Sequence, residues 1–265
     1  MQTAKATNIF IPHGGGPLPI LNDPGHATMV RFLTQFAASR PTPEALVVIS
    51  AHWEADPIRI TAGAEPELLY DYYGFPPESY HLDYRLKGAP ELARDMHTAM
   101  RAAGIDCELD WERDLDHGVF IPAMLLYPAG GIPALQLALH PGLDPEQHIA
   151  IGQALRFLRD RNIMILGSGF SFHNLPALLR PEAVSQNANE QFQSWLLQTT
   201  TDTEINEADR QAELCRWSQA PYARLCHPRA EHLLPLFVCY GLGGGPAQCV
   251  FDNTIMEQRA LGLQW

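Results

Sequence analysis

Apolar and polar positions alternate along the chain with two different periods. Asn8–Pro12, Ala45–Ala51, Ile58–Ala62, Asp106–Trp111, Ile132–Leu139 and Ile163–Gly167 are short runs that predict strands. Helical periods fall between them. Pro24–Ser39 sets Met29, Phe32, Leu33 and Phe36 on one face, and Pro145–Arg161 does the same with Ile149, Leu155 and Leu158. Pro90–Ala103 predicts a helix stopped by Gly104. Further helices are expected over Asn187–Gln198, Glu204–Gln219 and Pro228–Tyr240, the last with proline at its first position. Gln248–Asp252 and Ala260–Gln264 read as closing strands. The alternation predicts one α/β domain over residues 1–265, with a central mixed, mostly parallel sheet flanked by helices. Ligands of such sheets bind in crevices outside the carboxyl ends of strands.

Composition narrows the function classes. With 265 residues, 46% hydrophobic and 18% charged, the chain can bury a sizeable core. A formal net charge of −12, with no run of lysine or arginine, argues against nucleic acid and anionic membrane as partners. The apolar runs are too short to span a bilayer, and "MQTAKATNIFIPHGG" lacks the apolar stretch of a signal peptide. Cys107, Cys215, Cys226, Cys239 and Cys249 are odd in number and contain no CxxC pair, which predicts reduced thiols in a cytoplasmic protein. Oligomeric state is not legible in this pattern.

Several strands run straight into histidine. His13 ends "IFIPH" and precedes three glycines, which allow close backbone approach; no GK[ST] follows, so the turn is not a P-loop. His52 stands in "SAHW", just past the second strand. His173 lies in "GSGFSFHN", a turning loop rich in glycine and serine, and His117 in a polar turn between Asp116 and Gly118. His232 falls inside the helix expected over Pro228–Tyr240. There Glu231 would stand about 100° around the axis, so only one of the two would face a given pocket. His97 and His148 read as solvated positions of amphipathic helices, and His26, His81 and His227 as loop or helix-start residues. His140 also ends a strand, but runs into a plain turn. Neutral imidazole is the commonest metal ligand, and strand ends of one sheet meet at one edge. Three histidines with an open position make a catalytic metal site; the absence of HExxH excludes a zincin-type protease by spacing.

"HGGGP" at 13–17, "SAHW" at 50–53, "YDYYGFP" at 70–76, "DHG" at 116–118, "GSGFSFHNL" at 167–175 and "HPRAEHLLPL" at 227–236 occur in this order. Together they resemble the DODA-type branch of the class III extradiol aromatic ring-opening dioxygenases, the LigB-like superfamily. The resemblance implies a mononuclear non-haem metal held by His13, His52 and His232, with Fe(II) for catalysis or Zn(II) in a resting or purified form. It implies His173 as catalytic acid/base and possible fourth ligand, and His117 as a second active-site histidine contacting substrate or dioxygen. The substrates implied are O2 and a catechol, DOPA-like or related. Tyr72, Tyr73 and Phe75 would line the substrate site; the other reading is that these rings only pack their loop onto the core. Two alternatives stay open on the same residues: a zinc-dependent hydrolase or hydratase, and a non-catalytic Memo-like binding protein.

Overall fold

The structure, a computed structural model, describes residues 5–180 and 186–265. The first strand, β1 (Thr7–Pro12), is apolar and buried along nearly its whole length, because it is covered on both faces. It leads through α1 (Ala27–Ala38), which buries Met29, Leu33 and Phe36, to β2 (Ala45–Glu54). β3 (Ile58–Thr61) and the two-residue strands β4 (Leu68–Leu69) and β5 (Lys87–Gly88) follow, then α2 (Pro90–Ala102) and β6 (Cys107–Asp110). β7 (Leu115–Asp116) runs directly into α3 (His117–Leu126), and β8 (Pro133–Leu139), α4 (Pro145–Ala154) and β9 (Ile163–Gly169) come next. The remainder is α5 (Leu175–Leu179), α6 (Gln186–Thr201), α7 (Glu207–Cys215), α8 (Ala223–Cys226), α9 (Leu234–Gly243) and a hairpin of β10 (Gln248–Ile255) and β11 (Gln258–Gln264).

The large sheet runs β10-β11-β1-β9-β2-β8-β3-β6, with β5 added beside β8. β1, β9, β2 and β8 are parallel neighbours, while β11 against β1 and β3 against β8 are antiparallel. The sheet is therefore mixed and mostly parallel, as the alternation of periods predicts. The β1-α1-β2 crossover moves one way across the sheet, and β8-α4-β9 moves back. Right-handed crossovers then put α1 and α4 on opposite faces. α3 packs with α1, and α9 with α4 and with β1, β2 and β9, completing three layers of one α/β domain.

Some boundaries differ from the sequence reading. Pro145–Arg161 splits into α4 and a 3₁₀ turn at Arg156–Asp160, though Ile149, Leu155 and Leu158 are all buried as expected. The helix expected over Pro228–Tyr240 begins only at Leu234, so His232 lies in the turn before it. His148 is fully buried, not solvated: Nδ1 sits 2.7 Å from the Asp144 carbonyl and Nε2 accepts from the His140 N–H at 3.2 Å. His26 and His227 are also fully buried.

Candidate metal centre

The carboxyl ends of β1, β9 and β2 lie side by side, and the chain delivers histidine there three times. His13 leaves β1 directly, its N–H bonded to the Gly169 carbonyl at 3.0 Å. Glycine is needed next: Gly14 has φ +85°, and a Cβ there would stand 2.7 Å from Pro19 Cγ. His26 holds the glycine loop from beneath, accepting from the Gly15 N–H at 3.0 Å while its Nδ1 meets Asp23 at 2.7 Å.

His52 lies within β2 rather than past its end. Ile49 pairs with Leu137 and Glu54 with Leu139, so Ser50, Ala51, His52 and Trp53 stand opposite Ala138 alone. "SAHW" is thus a bulge, which bends the strand and re-aims its side chains. His52 faces the site, and Trp53 is buried under the Arg113 guanidinium, 4.5 Å from its ring.

His117 opens a buried helix instead of sitting in a polar turn. Asp116 caps α3, accepting from Gly118 N–H at 3.1 Å and Ser50 Oγ at 2.8 Å. A Cβ on Gly118 would lie 2.3 Å from Ser50 Oγ. Ser50 and Ser168 are register partners on β2 and β9, and Ser168 donates to the Gly118 carbonyl, so the two serines clamp the start of α3. The His232 turn docks on the end of β9 through Phe170 N–H to His232 O, 2.9 Å. His173 is tied to the same region through its N–H to Cys226 O, 2.9 Å.

Five imidazoles converge as a result. Nitrogens of His13, His52 and His232 lie within 4.8 Å of one another. His13 Nε2 and His52 Nε2 are 3.1 Å apart, and the His173 ring stacks on His232 with centroids 3.3 Å apart. The outward nitrogens are committed. Ser168 already donates its proton to Gly118, so its oxygen accepts from His13 Nδ1 at 3.1 Å. Glu231 Oε1 takes both His232 Nδ1, at 2.9 Å, and His173 Nδ1, at 3.2 Å. Asp71 Oδ1 takes His117 Nδ1 at 2.7 Å, while Oδ2 stands 3.8 Å from His52 Nδ1. Protons on these Nδ1 atoms leave the Nε2 lone pairs of His13, His117, His173 and His232 free.

Burial first, and then the neighbouring imidazoles, hold His13 and His232 well below the usual histidine pKa; His52 is lowered by burial and His117. Burial alone would raise Glu231 and Asp71, but the hydrogen bonds from His173 to Glu231 and from His117 to Asp71 outweigh it and both end lowered. Neutral imidazoles backed by ionised carboxylates are the protonation pattern a cation requires. A divalent metal therefore fits the donor set of His13, His52 and His232.

Glu231 contradicts the sequence reading that only one of the Glu231–His232 pair could serve the pocket. Both line it, because a turn frees them from helical spacing. Asp71 and Glu231 brace imidazoles of the site and Arg229 lines the cavity, and the sequence analysis assigns none of them these places. All three lie inside quoted motifs, but only Glu231 stands beside a predicted ligand in the chain, and that adjacency is its signal. Tyr72, Tyr73 and Phe75 all line the cavity. The Tyr72 hydroxyl is committed to the Ser79 carbonyl, so Tyr72 offers its ring face, and burial pushes its pKa up to about 12. His140 stands away from the cluster, near Asp56.

Fold and site define the class: an α/β protein carrying a histidine-rich potential metal site at the floor of a small-molecule cavity. The chain belongs to the family of the catalytic LigB subunit of aromatic ring-opening dioxygenase, whose family model matches residues 22–259. It is 38% identical over 251 residues to Dioxygenase tasH of Hapsidospora irregularis, covering 88% of this chain and 76% of that one. It is 33% identical over 240 residues to the 4,5-DOPA dioxygenase extradiol of Beta vulgaris, covering 89% and 86%. In fold it matches the crystal structure of an uncharacterized protein from Escherichia coli K12, with TM-score 0.77, 26% identity and 98% of each chain covered. Family and relatives make the chain a ring-cleaving, metal-dependent dioxygenase acting on a small aromatic molecule with O2. No helix among the described residues is long and apolar enough to cross a membrane.

Proposed function

We propose that residues 1–265 form one catalytic domain that opens catechols in the extradiol manner, at a mononuclear metal held by His13, His52 and His232. The observation that carries this is the convergence of those nitrogens within 4.8 Å. The substrate belongs to the catechol class that includes DOPA, the substrate in the name of the sugar-beet relative. Fe(II) supplies the electron transfer between ring and O2 that redox-inactive zinc lacks, so Zn(II) would be a resting occupant. In the net reaction the C–C bond beside one hydroxyl-bearing carbon breaks. Each of its two carbons gains one oxygen atom, giving a carboxylate and an aldehyde, and the ring supplies the four electrons that reduce O2.

The chain's own residues handle protons and position. His173 Nε2 takes a proton from a catechol hydroxyl and returns it as the ring opens. Glu231 holds the opposite nitrogen of that ring, which fixes Nε2 as the working atom. His117, fixed the same way by Asp71, presents Nε2 to substrate or O2. Tyr72 and Phe75 flank the ring and exclude water, while Tyr73 meets the substrate at the outer part of the cavity. Five unpaired cysteines fit a reducing compartment, and we place the protein in the cytoplasm.

The test is oxygen uptake by anaerobically Fe(II)-loaded protein against a catechol panel, with yellow ring-opened products expected. His52→Ala should lose the metal. His173→Ala should keep the metal and lose about 10²–10⁴-fold in turnover, the usual worth of a positioned acid/base. Full turnover by His173→Ala would remove its assigned role, and zinc-supported hydrolysis without O2 would replace the reading altogether.

A further inference from the structure

The space above the imidazoles is not shaped for a small polar substituent. The cavity is about 720 Å³, within the range of roughly 300–1,000 Å³ that takes drug-sized ligands. Its floor is the histidine cluster, its inner walls include Phe170 and Leu178, and Leu175, Leu179 and Tyr73 form its outer part. Those three are 57%, 74% and 92% exposed, the most exposed large apolar side chains among the described residues. Scattered surface apolar residues are ordinary. Three at the mouth of one pocket mark a surface that a ligand covers.

The charge of the wall points the same way. Among the described lining residues Arg229 is the one lysine or arginine. Its guanidinium is taken by both oxygens of Glu54, with Nη2 2.6 Å from Oε2, and Nη1 lies 3.5 Å from Glu231 Oε2. One cation facing two carboxylates leaves this wall net negative. A substrate carboxylate reaching it would meet an arginine whose two terminal nitrogens are already taken by Glu54 and Glu231, and the ammonium of an amino-acid side chain would be desolvated against the apolar rim.

We propose, resting on the ring-opening reading above, that the site selects catechols bearing an uncharged apolar substituent, laid along Leu175, Leu179 and Tyr73, over catechols bearing an amino-acid or carboxylate side chain. The hydroxyl pair occupies the imidazole floor and the substituent runs outward, covering the apolar rim. Burying one methylene tightens binding about fourfold, so chain length is a ruler for the rim.

Binding separates this from the chemistry. Zn(II)-loaded protein under nitrogen is titrated calorimetrically with 4-methyl-, 4-butyl- and 4-hexylcatechol, DOPA and 3,4-dihydroxyphenylpropionate. Fe(II)-loaded protein is assayed for oxygen uptake with the same five. The expected result is a Kd falling at least tenfold from methyl to hexyl, with DOPA and the propionate at least tenfold weaker than the butyl compound. A Leu175→Ser/Leu179→Ser double variant should lose most of the methyl-to-hexyl gain. A Kd independent of chain length, DOPA as the tightest ligand, or an undiminished gain in the double variant would each overturn the inference. Oxygen uptake with DOPA bound tightest would leave ring opening standing and remove only the preference. A chain-length series in binding with no oxygen uptake from any catechol would keep the preference and sink the ring-opening reading.

Discussion

Glu231 accepts from two imidazoles at once, one on a proposed ligand and one on the proposed acid/base. Its charge is kept by His173 and Arg229 although burial opposes it. Glu231→Gln preserves the shape but replaces an ionised acceptor with a neutral one whose amide also donates. The orientation of His232 and His173 then loses its anchor. Loss of such an outer partner typically costs 10–100-fold in metal affinity. Competition with a chromogenic chelator should show that loss in Glu231→Gln, and wild-type affinity would show that Glu231 does not orient His232. His13, His52 and His173 are legible at this scale as candidates, because strand ends and glycine turns announce them, whereas His117 and His232 enter the set through the motifs that carry the family resemblance. Of their carboxylate partners, Glu231 is legible beside His232, but Asp71 is not. Asp71 sits 46 positions from His117 in the chain, and only the fold brings the two together.

Among the elements, α3 places His117 through the contacts at its first turn. Asp116 caps it, two serines hold its first turn, and Gly118 lets it approach β2 closely. Gly118→Ala would drive a methyl into Ser50 Oγ, forcing the helix start, and His117 with it, away from β2. Overpacking of this kind costs about 1–3 kcal/mol, readable as a lower denaturant midpoint at unchanged slope. Activity should fall further than stability does, since His117 moves too. α3 is also the longest of three helices among the described residues that the hydrophobic pattern does not predict, α5 and α8 being the others. "HGVFIPAMLL" is apolar all round, has Pro122 inside, and is buried from His117 to Ala123, so it shows no polar face for a helical period to reveal. α1, α2 and α4 keep a solvent face and were legible. α9 starts later than its composition suggests: "HPRAEH" is helix-compatible, but the His232 carbonyl accepts from the Phe170 N–H just past β9.

At the scale of the whole molecule, buried neutral histidines set how the fold responds to acid. His148 lies on α4, outside the histidine cluster, and burial lowers its pKa to about 4 against the ordinary 6.5. Both of its nitrogens are used: Nδ1 meets the Asp144 carbonyl and Nε2 accepts from His140. Adding a proton at Nε2 would set it against the His140 N–H. The unfolded chain faces no such conflict and takes up its proton near pH 6.5. Stability from this group is therefore complete above the unfolded value, falls as pH drops from about 6.5 toward about 4, and loses no more below that. By pH 5 the loss is about 2 kcal/mol, using about 1.4 kcal/mol per pKa unit. His227, also lowered to about 4 by burial, adds to the same window. Denaturant titrations of metal-free protein at pH 7 and pH 5 measure the total, and His148→Gln isolates one share. The variant starts less stable at pH 7 but should lose about 2 kcal/mol less between the two pH values. An equal loss in variant and wild type would show that His148 takes its proton in the folded state at its ordinary pH.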